Sequence, residues 1–501
     1  MTPADAYAEL ARRAKEAQTL SSAASVLSWD QETYMPDAGA ELRGDQLALL
    51  AGLVHQRRTE AQIGELLTVV ESSGDAVDPL AAADVREWRR LYDRAVKLPQ
   101  RLIEELARVT SLAQVEWAVA RQDSDWKRFA PWLEKIVALK KEEAQAIGGD
   151  GPAYDALLDE FEPGATTAAL APMFAELRAK LVPFLHRLLT APRRPDPTIL
   201  RRRYDVETQR HFARHAAEEI GFDFARGRID ETTHPFCTGF SPNDVRLTTR
   251  YSPEFFNDGF FSVLHEAGHG LYEQGLDASR FGKPTGEAVS LGIHETQSRL
   301  WENLVGRSAA FWRRWFPRAQ EAFPQTLSAV KADDFHFSIN AVAPSFIRVD
   351  ADEVTYNLHV MLRFEMEQAL IGGDLKPADV PGAWNAKMRE YLQIAPPDDR
   401  RGCLQDVHWS AGLIGYFPTY TLGNLGAAQL FAAARSALGD LDGAFSAGEN
   451  RPLLDWLRKE VHQHGMRYKP ADLIHNATGR PLAADAFMAS LENKFAPLYG
   501  L

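Results

Sequence analysis

Most of this chain carries apolar residues at spacings of three and four, the period of a helix with one buried face. The pattern predicts helices over 3–20, 79–122, 126–147 and 168–190, rich in Ala, Leu, Glu, Arg and Lys. It continues over 295–322, 350–371, 379–393 and 425–438. Strand-like alternation is confined to 232–251, TTHPFCTGFSPNDVRLTTRY, with turn signals at Gly239 and at Ser241-Pro242-Asn243-Asp244. That stretch predicts one short antiparallel ribbon of two or three strands. The expected fold is therefore all-α with one small β ribbon. The proline-rich APRRPDP (191–197) marks the expected boundary between an N-terminal helical lobe, 1–195, and a region 196–501 that carries the chemistry, the two forming one integrated unit. Residues 394–424 are dense in Gly, Pro and aromatics and read as a long ordered loop of the functional kind.

Composition narrows the classes. The chain has 501 residues, 45% of them hydrophobic, enough for a large core. A formal net charge of -13 with no unbroken basic run argues against nucleic acid or an anionic membrane as partner. No run of apolar residues is long enough to span a bilayer. The N-terminus reads as a polar amphipathic helix without the apolar centre of a secretory signal. Two cysteines, Cys237 and Cys403, make no disulfide framework and fit a reducing cytosol.

The candidate chemistry sits in 260–275, FFSVLHEAGHGLYEQG. On a helix, His265 and His269 lie one turn apart on one face and can direct two imidazoles at one ion. Glu266 stands beside the first of them, where it can reach a water on that ion. Phe260, Phe261, Val263, Leu264 and Leu271 place this helix in the interior, where histidines and a glutamate need partners or a metal. A single such pentad also arises by chance, so a third ligand is needed. The position of a third histidine in HExxHxxGxxH is Gly275, which excludes that class. The segment 288–306, AVSLGIHETQSRLWENLVG, offers Glu295 at the start of a helix, with Arg299 and Glu302 on the same face. Glu295 is the preferred third ligand, and Glu302 and Glu287 are alternatives.

Further short motifs occur around this core: Trp29-Asp30-Gln31-Glu32-Thr33-Tyr34-Met35-Pro36, His234-Pro235-Phe236, Asp244-Val245-Arg246-Leu247-Thr248, His294-Glu295-Thr296-Gln297, Ile347-Arg348-Val349-Asp350-Ala351-Asp352, and Gly402-Cys403-Leu404-Gln405-Asp406-Val407-His408-Trp409. With HEAGH, and in this order, they resemble the M32 family of metallocarboxypeptidases, the carboxypeptidase Taq family. Thr296 is the one departure, beside the proposed ligand. The resemblance implies a two-lobed helical gluzincin with a deep central groove and the metal at its floor. It implies release of single amino acids from peptides with a free C-terminus. His265, His269 and Glu295 would hold one Zn²⁺, which Co²⁺ could replace because such N/O ligation suits both. Glu266 would be the general base. Family members are similar in being homodimers, and a cytoplasmic location is expected.

Roles for the other residues follow from that picture. Tyr356 and His234 are candidate donors to the developing oxyanion; Tyr356 could equally be a packed aromatic. Arg348 is the first choice for the substrate carboxylate, because a planar guanidinium suits it, with an ion pair to Asp350 or Asp352 as the plain alternative. Tyr420 could add a hydrogen bond. Arg246 either contacts substrate or pairs with Asp244 and stiffens the ribbon. His408 and Asp406 could orient a metal ligand or meet substrate. The Trp29–Pro36 stretch reads as lobe packing. Two rival readings remain at this level: an endo-oligopeptidase or dipeptidyl carboxypeptidase on a similar groove, and a metal-free helical binding protein that retains the motifs.

Overall fold

The helical periodicity is realised almost everywhere it occurs. The computed structural model describes residues 1–73 and 78–501. Helices occupy Pro3–Thr33, Ala40–Thr59, Ala61–Glu71, Pro79–Lys97, Gln100–Asp123, Trp126–Ile147 and Thr167–Thr190 in the N-terminal part. The run expected over 79–122 is two helices. Leu98 is extended, with ψ 118°, as the residue before a proline must be, and Pro99 starts the next helix. Side chains close the starts of several helices: Thr2 and Asp5 form a capping box, and Asp125 and Thr166 each accept a backbone N–H.

The segment expected as one helix over 295–322 is three elements. A helix Leu291–Arg299 is started by Ser290, whose hydroxyl accepts from Ile293 N. A π-helical turn follows over Leu300–Gly306, then a helix Ala309–Ala322 capped by Ser308. Glu295 thus falls in the second turn rather than at the very start. The helix expected from 350 begins at Tyr356 and closes at Gly373, whose φ of +94° is the left-handed region that glycine tolerates. Of the long loop 394–424, the last residues are already in the helix Pro418–Leu438.

The sheet has three strands, β1 (Gly227–Glu231), β2 (Cys237–Ser241) and β3 (Asp244–Thr249), in the order β1-β3-β2. β2 and β3 form the antiparallel ribbon read in the sequence, with Gly239 opposite Val245. β1 lies upstream of the expected stretch and pairs parallel to β3. Its text, GRIDE, is mostly charged and carries little strand signal.

One main core runs from Val109 to Tyr499 and crosses residues 191–197 without a break, so the segments on either side of that boundary share it. A second, smaller cluster joins Ala6, Leu10, Ile63, Leu66, Leu67, Val70 and Val85 in the N-terminal helices. Among the described residues no helix is long and apolar enough to cross a membrane.

The helix Phe256–Gly275, which carries HEAGH, lies at the centre. Its approach to neighbours depends on missing side chains. A Cβ on Gly268 would lie 2.6 Å from Ser298 Cα and 2.7 Å from the Gln297 carbonyl oxygen. One on Gly275 would lie 2.3 Å from His462 Nδ1. A Cβ on Gly423, in the helix Pro418–Leu438, would lie 2.5 Å from Glu295 Cγ. Gly268→Ala is therefore expected to lower stability by about 1–3 kcal/mol in urea unfolding, since its neighbours are backbone atoms that cannot step aside. Gly382→Ala, on an exposed helix with no atom within 4 Å, is expected to raise stability by about 0.5–1 kcal/mol. Equal effects at both sites would contradict the packing argument.

Candidate metal centre and active site

The helix Phe256–Gly275 presents His265 and His269 on one face, their rings 4.9 Å apart. The helix Leu291–Arg299 brings Glu295 against them. Oε2 of Glu295 lies 3.7 Å from His265 Nε2 and 3.5 Å from His269 Nε2. One ligand atom from each of the three residues falls within 4.8 Å of the others. The two contacts with Glu295 are too long for good hydrogen bonds. They match the separation of about 3.4 Å between two ligands each about 2.1 Å from a tetrahedral centre. The donor set of two imidazoles and one carboxylate fits a borderline divalent ion.

Surrounding charges set the ligand states. Burial pushes the Glu295 carboxyl up, but Arg299 and the two histidines overcome it and hold it well below the usual range. Arg299 Nε donates to Glu295 Oε1 at 2.6 Å and Nη1 to Glu302 Oε2 at 3.3 Å. Glu302, an alternative third ligand by sequence, sits on the far nitrogen of His265, 3.0 Å from Nδ1. Arg307 donates to its other oxygen at 3.1 Å. Glu302 therefore does what a carboxylate behind a ligand histidine does: it fixes the ring so that Nε2 faces the centre. Burial pushes the His265 imidazole down, but Glu295 and Glu302 raise it overall. Burial dominates at His269 and pushes it down to about 3. Its Nδ1 lies 2.6 Å from His294 Nδ1, and His294 Nε2 lies 2.8 Å from Glu273 Oε1. Glu266 is buried, 6% exposed, and burial pushes its carboxyl up to about 7.

A second polar group gathers around the helix Tyr356–Gly372. The Arg348 guanidinium is buried. Its Nε and Nη2 reach Asp406 Oδ1 at 3.1 and 2.9 Å, and its Nη1 donates to the Tyr356 hydroxyl at 2.8 Å. The partner of Arg348 is thus Asp406, and not Asp350 or Asp352; Asp352 instead accepts from the backbone of Val354 and Thr355. Asp406 also takes Arg363 at 2.7 Å. The idea that Asp406 orients a metal-bound histidine is corrected by this pairing, because two guanidiniums occupy its carboxylate. Tyr420 lies beneath Arg348, 5.0 Å from the guanidinium carbon, and its hydroxyl is 3.5 Å from His408 Nε2. The Tyr356 ring stacks under Arg299 at 4.4 Å and so joins this group to the ligand cluster.

Two sequence candidates make no hydrogen bond or ion pair to His265, His269 or Glu295 among the described residues. Arg246 pairs with Asp244 at 3.1 Å and covers the Trp29 ring at 4.2 Å, which ties β3 to the first helix. His234 is exposed in the turn before β2. Arg307, Arg363 and Glu273 were not singled out from sequence, and His294 only as part of the His294–Gln297 motif. Of the first three, Arg363 alone left a trace, as a charge set in the mostly apolar text HVMLRF.

A family model described as carboxypeptidase Taq (M32) metallopeptidase matches residues 9–495. The chain belongs to the M32 family. Its M32 relatives include thermostable carboxypeptidase 1 of Thermus thermophilus, 50% identical over 511 residues and covering all of both chains. Carboxypeptidase 1 of Bacillus subtilis is 37% identical over 96% of each. The solved M32 carboxypeptidase of Deinococcus radiodurans superposes with TM-score 0.96 at 40% identity, over 99% of this chain and 100% of that one. The Pyrococcus furiosus carboxypeptidase gives 0.93 at 34%, over 98% and 99%. This M32 chain is a metallocarboxypeptidase that acts on peptides.

The ligand states predict how binding responds to pH. His265 is raised above the ordinary histidine value, so it is charged at mildly acid pH and must lose a proton to bind an ion. Divalent-metal affinity of the stripped chain should fall as pH drops from about 8 to about 6, with proton release on binding visible by calorimetry in buffers of different ionisation enthalpy. Affinity independent of pH would exclude His265 as a ligand.

Proposed function

We propose that the chain removes single residues from peptide C-termini with one Zn²⁺ held by His265, His269 and Glu295, and with Glu266 as general base. The observation that carries this reading is the convergence of both imidazole Nε2 atoms on Glu295 Oε2, at hydrogen-bond-breaking but ligand-like distances. Co²⁺ would satisfy the same donors. When bound, the ion would supply Lewis-acid polarisation of the scissile carbonyl and a water acidified toward neutrality.

The protein groups then have separate tasks. Among the described residues no hydrogen bond or ion pair engages the Glu266 carboxylate, which supports its freedom to accept a proton and return it to the leaving amine. Its buried position, with a carboxyl poised near neutrality, suits both transfers. Tyr356 receives a hydrogen bond from Arg348, so its own phenolic proton is available to a developing oxyanion. Arg348 and Arg363 share the single carboxylate of Asp406, so two buried cations have one direct anionic partner between them. That excess is suited to the carboxylate of a substrate C-terminus, with Tyr420 and His408 beside it. For Arg246 the stack on Trp29 supports a structural task, and exposed His234 is available to the substrate. A cytosolic location and a homodimer belong to the same proposal; both cysteines are free thiols.

Mass spectrometry of an unstructured peptide incubated with the chain should show a ladder shortened one residue at a time from the C-terminus, stopped by chelator and restored by Zn²⁺. Glu266→Gln should retain the ion and lose at least about 10²-fold in kcat. Wild-type turnover in that variant would remove Glu266 from the mechanism, and internal or two-residue cuts would favour the oligopeptidase reading. Arg348→Lys should lower the preference for a free over an amidated C-terminus by about 10-fold or more, the scale of one charge-assisted hydrogen bond. An unchanged preference would place the carboxylate elsewhere.

A further inference from the structure

His294 stands one residue before Glu295, and the mechanism above gives it no task. Its ring is held from three sides. Nδ1 faces His269 Nδ1 at 2.6 Å, Nε2 faces Glu273 Oε1 at 2.8 Å, and the Tyr272 ring lies edge-on at 5.2 Å. The donor and acceptor roles along this line follow from His269 serving as a ligand through Nε2. Its Nδ1 then carries the ring proton and donates to His294 Nδ1. An imidazole that accepts at Nδ1 carries its own proton on Nε2, the atom that faces the Glu273 carboxylate. A neutral His269 protonated at Nδ1 has its lone pair on Nε2, the atom that lies 3.5 Å from Glu295 Oε2.

We propose that Glu273 and His294 are positioning residues which, through this relay, fix the tautomer and ring orientation of His269 for metal binding. The inference rests on the assignment of His269 as a ligand. The site then orients its two imidazoles by unlike means. His265 is held directly by the Glu302 carboxylate, and His269 is held through an interposed imidazole. β2 makes room for the end of the relay. Gly239 is exposed and lacks the Cβ that would lie 2.4 Å from Glu273 Oε2. Since that oxygen is the far end of a flexible side chain, a methyl group there would move the carboxylate off His294 without disturbing the fold.

The test uses the full chain stripped of metal, with Zn²⁺ affinity read by competition with a chromogenic chelator and with the melting temperature of the stripped chain read beside it. His294→Phe keeps a ring and loses both hydrogen bonds. His294→Gln keeps one acceptor and one donor. Gly239→Ala leaves every polar group in place and displaces only the Glu273 carboxylate. His294→Phe and Gly239→Ala should weaken Zn²⁺ binding by about 10–100-fold, with Gly239→Ala melting as the wild type does, while His294→Gln should recover most of the affinity. Wild-type affinity in both His294→Phe and Gly239→Ala would overturn the relay. Equal losses in His294→Gln and His294→Phe would also overturn it, because ring packing alone would then explain them. Should His294→Phe fail to fold, Gly239→Ala decides the matter by itself. A wild-type chain that binds no Zn²⁺ would instead overturn the ligand assignment, and the relay with it.

Discussion

The centre of this molecule depends on keeping two carboxylates ionised where water is scarce. Glu295 and Glu302 are both buried, and burial alone would protonate them. Arg299 bridges the two, and Arg307 holds the second from the other side. Two guanidiniums thus balance two carboxylates before any ion arrives. A dication held by Glu295 would be neutralised less by that carboxylate, because Arg299 already shares its charge. Arg299 also rests on Tyr356, whose hydroxyl touches Arg348. Ligand charge, oxyanion donor and buried cation are consequently one continuous polar network rather than separate features.

That network can exist only because helix backbones come unusually close. Gly268 and Gly423 clear the space on either side of the Glu295 helix. The same device explains Gly275, the position of the last histidine in HExxHxxGxxH: here the space belongs to the buried ring of His462. The π-helical turn after Arg299 adds to this local geometry, since it follows directly on the residues that must face the two histidines.

What could be read from the sequence was whatever lies within one helix. The spacing of His265, Glu266 and His269 is a local property, and so is the shared face of Glu295, Arg299 and Glu302. The long helices were legible for the same reason, and the break at Leu98-Pro99 is a proline effect that the periodicity overrode. The pairing of Asp406 with Arg348 and Arg363 was not legible, because it joins segments that only the tertiary packing makes neighbours. The link between Glu273 and His294 was hidden likewise: His294 stands in a short motif, but its partner lies on another helix. β1 was hidden by its charges, and its partner strand lies beyond an intervening one.

The N-terminal helices rest on a different footing from the rest. The helix Ala40–Thr59 has no fully buried residue, and its Arg43 reaches Asp30 and the Leu27 carbonyl. Its neighbours pack in a cluster of seven side chains apart from the main core. The free energy of opening this corner is accordingly a small share of the global unfolding free energy. Its amide hydrogens are expected to exchange with solvent through local excursions, and those of the helices Phe256–Gly275 and Leu291–Arg299 only when the main core opens.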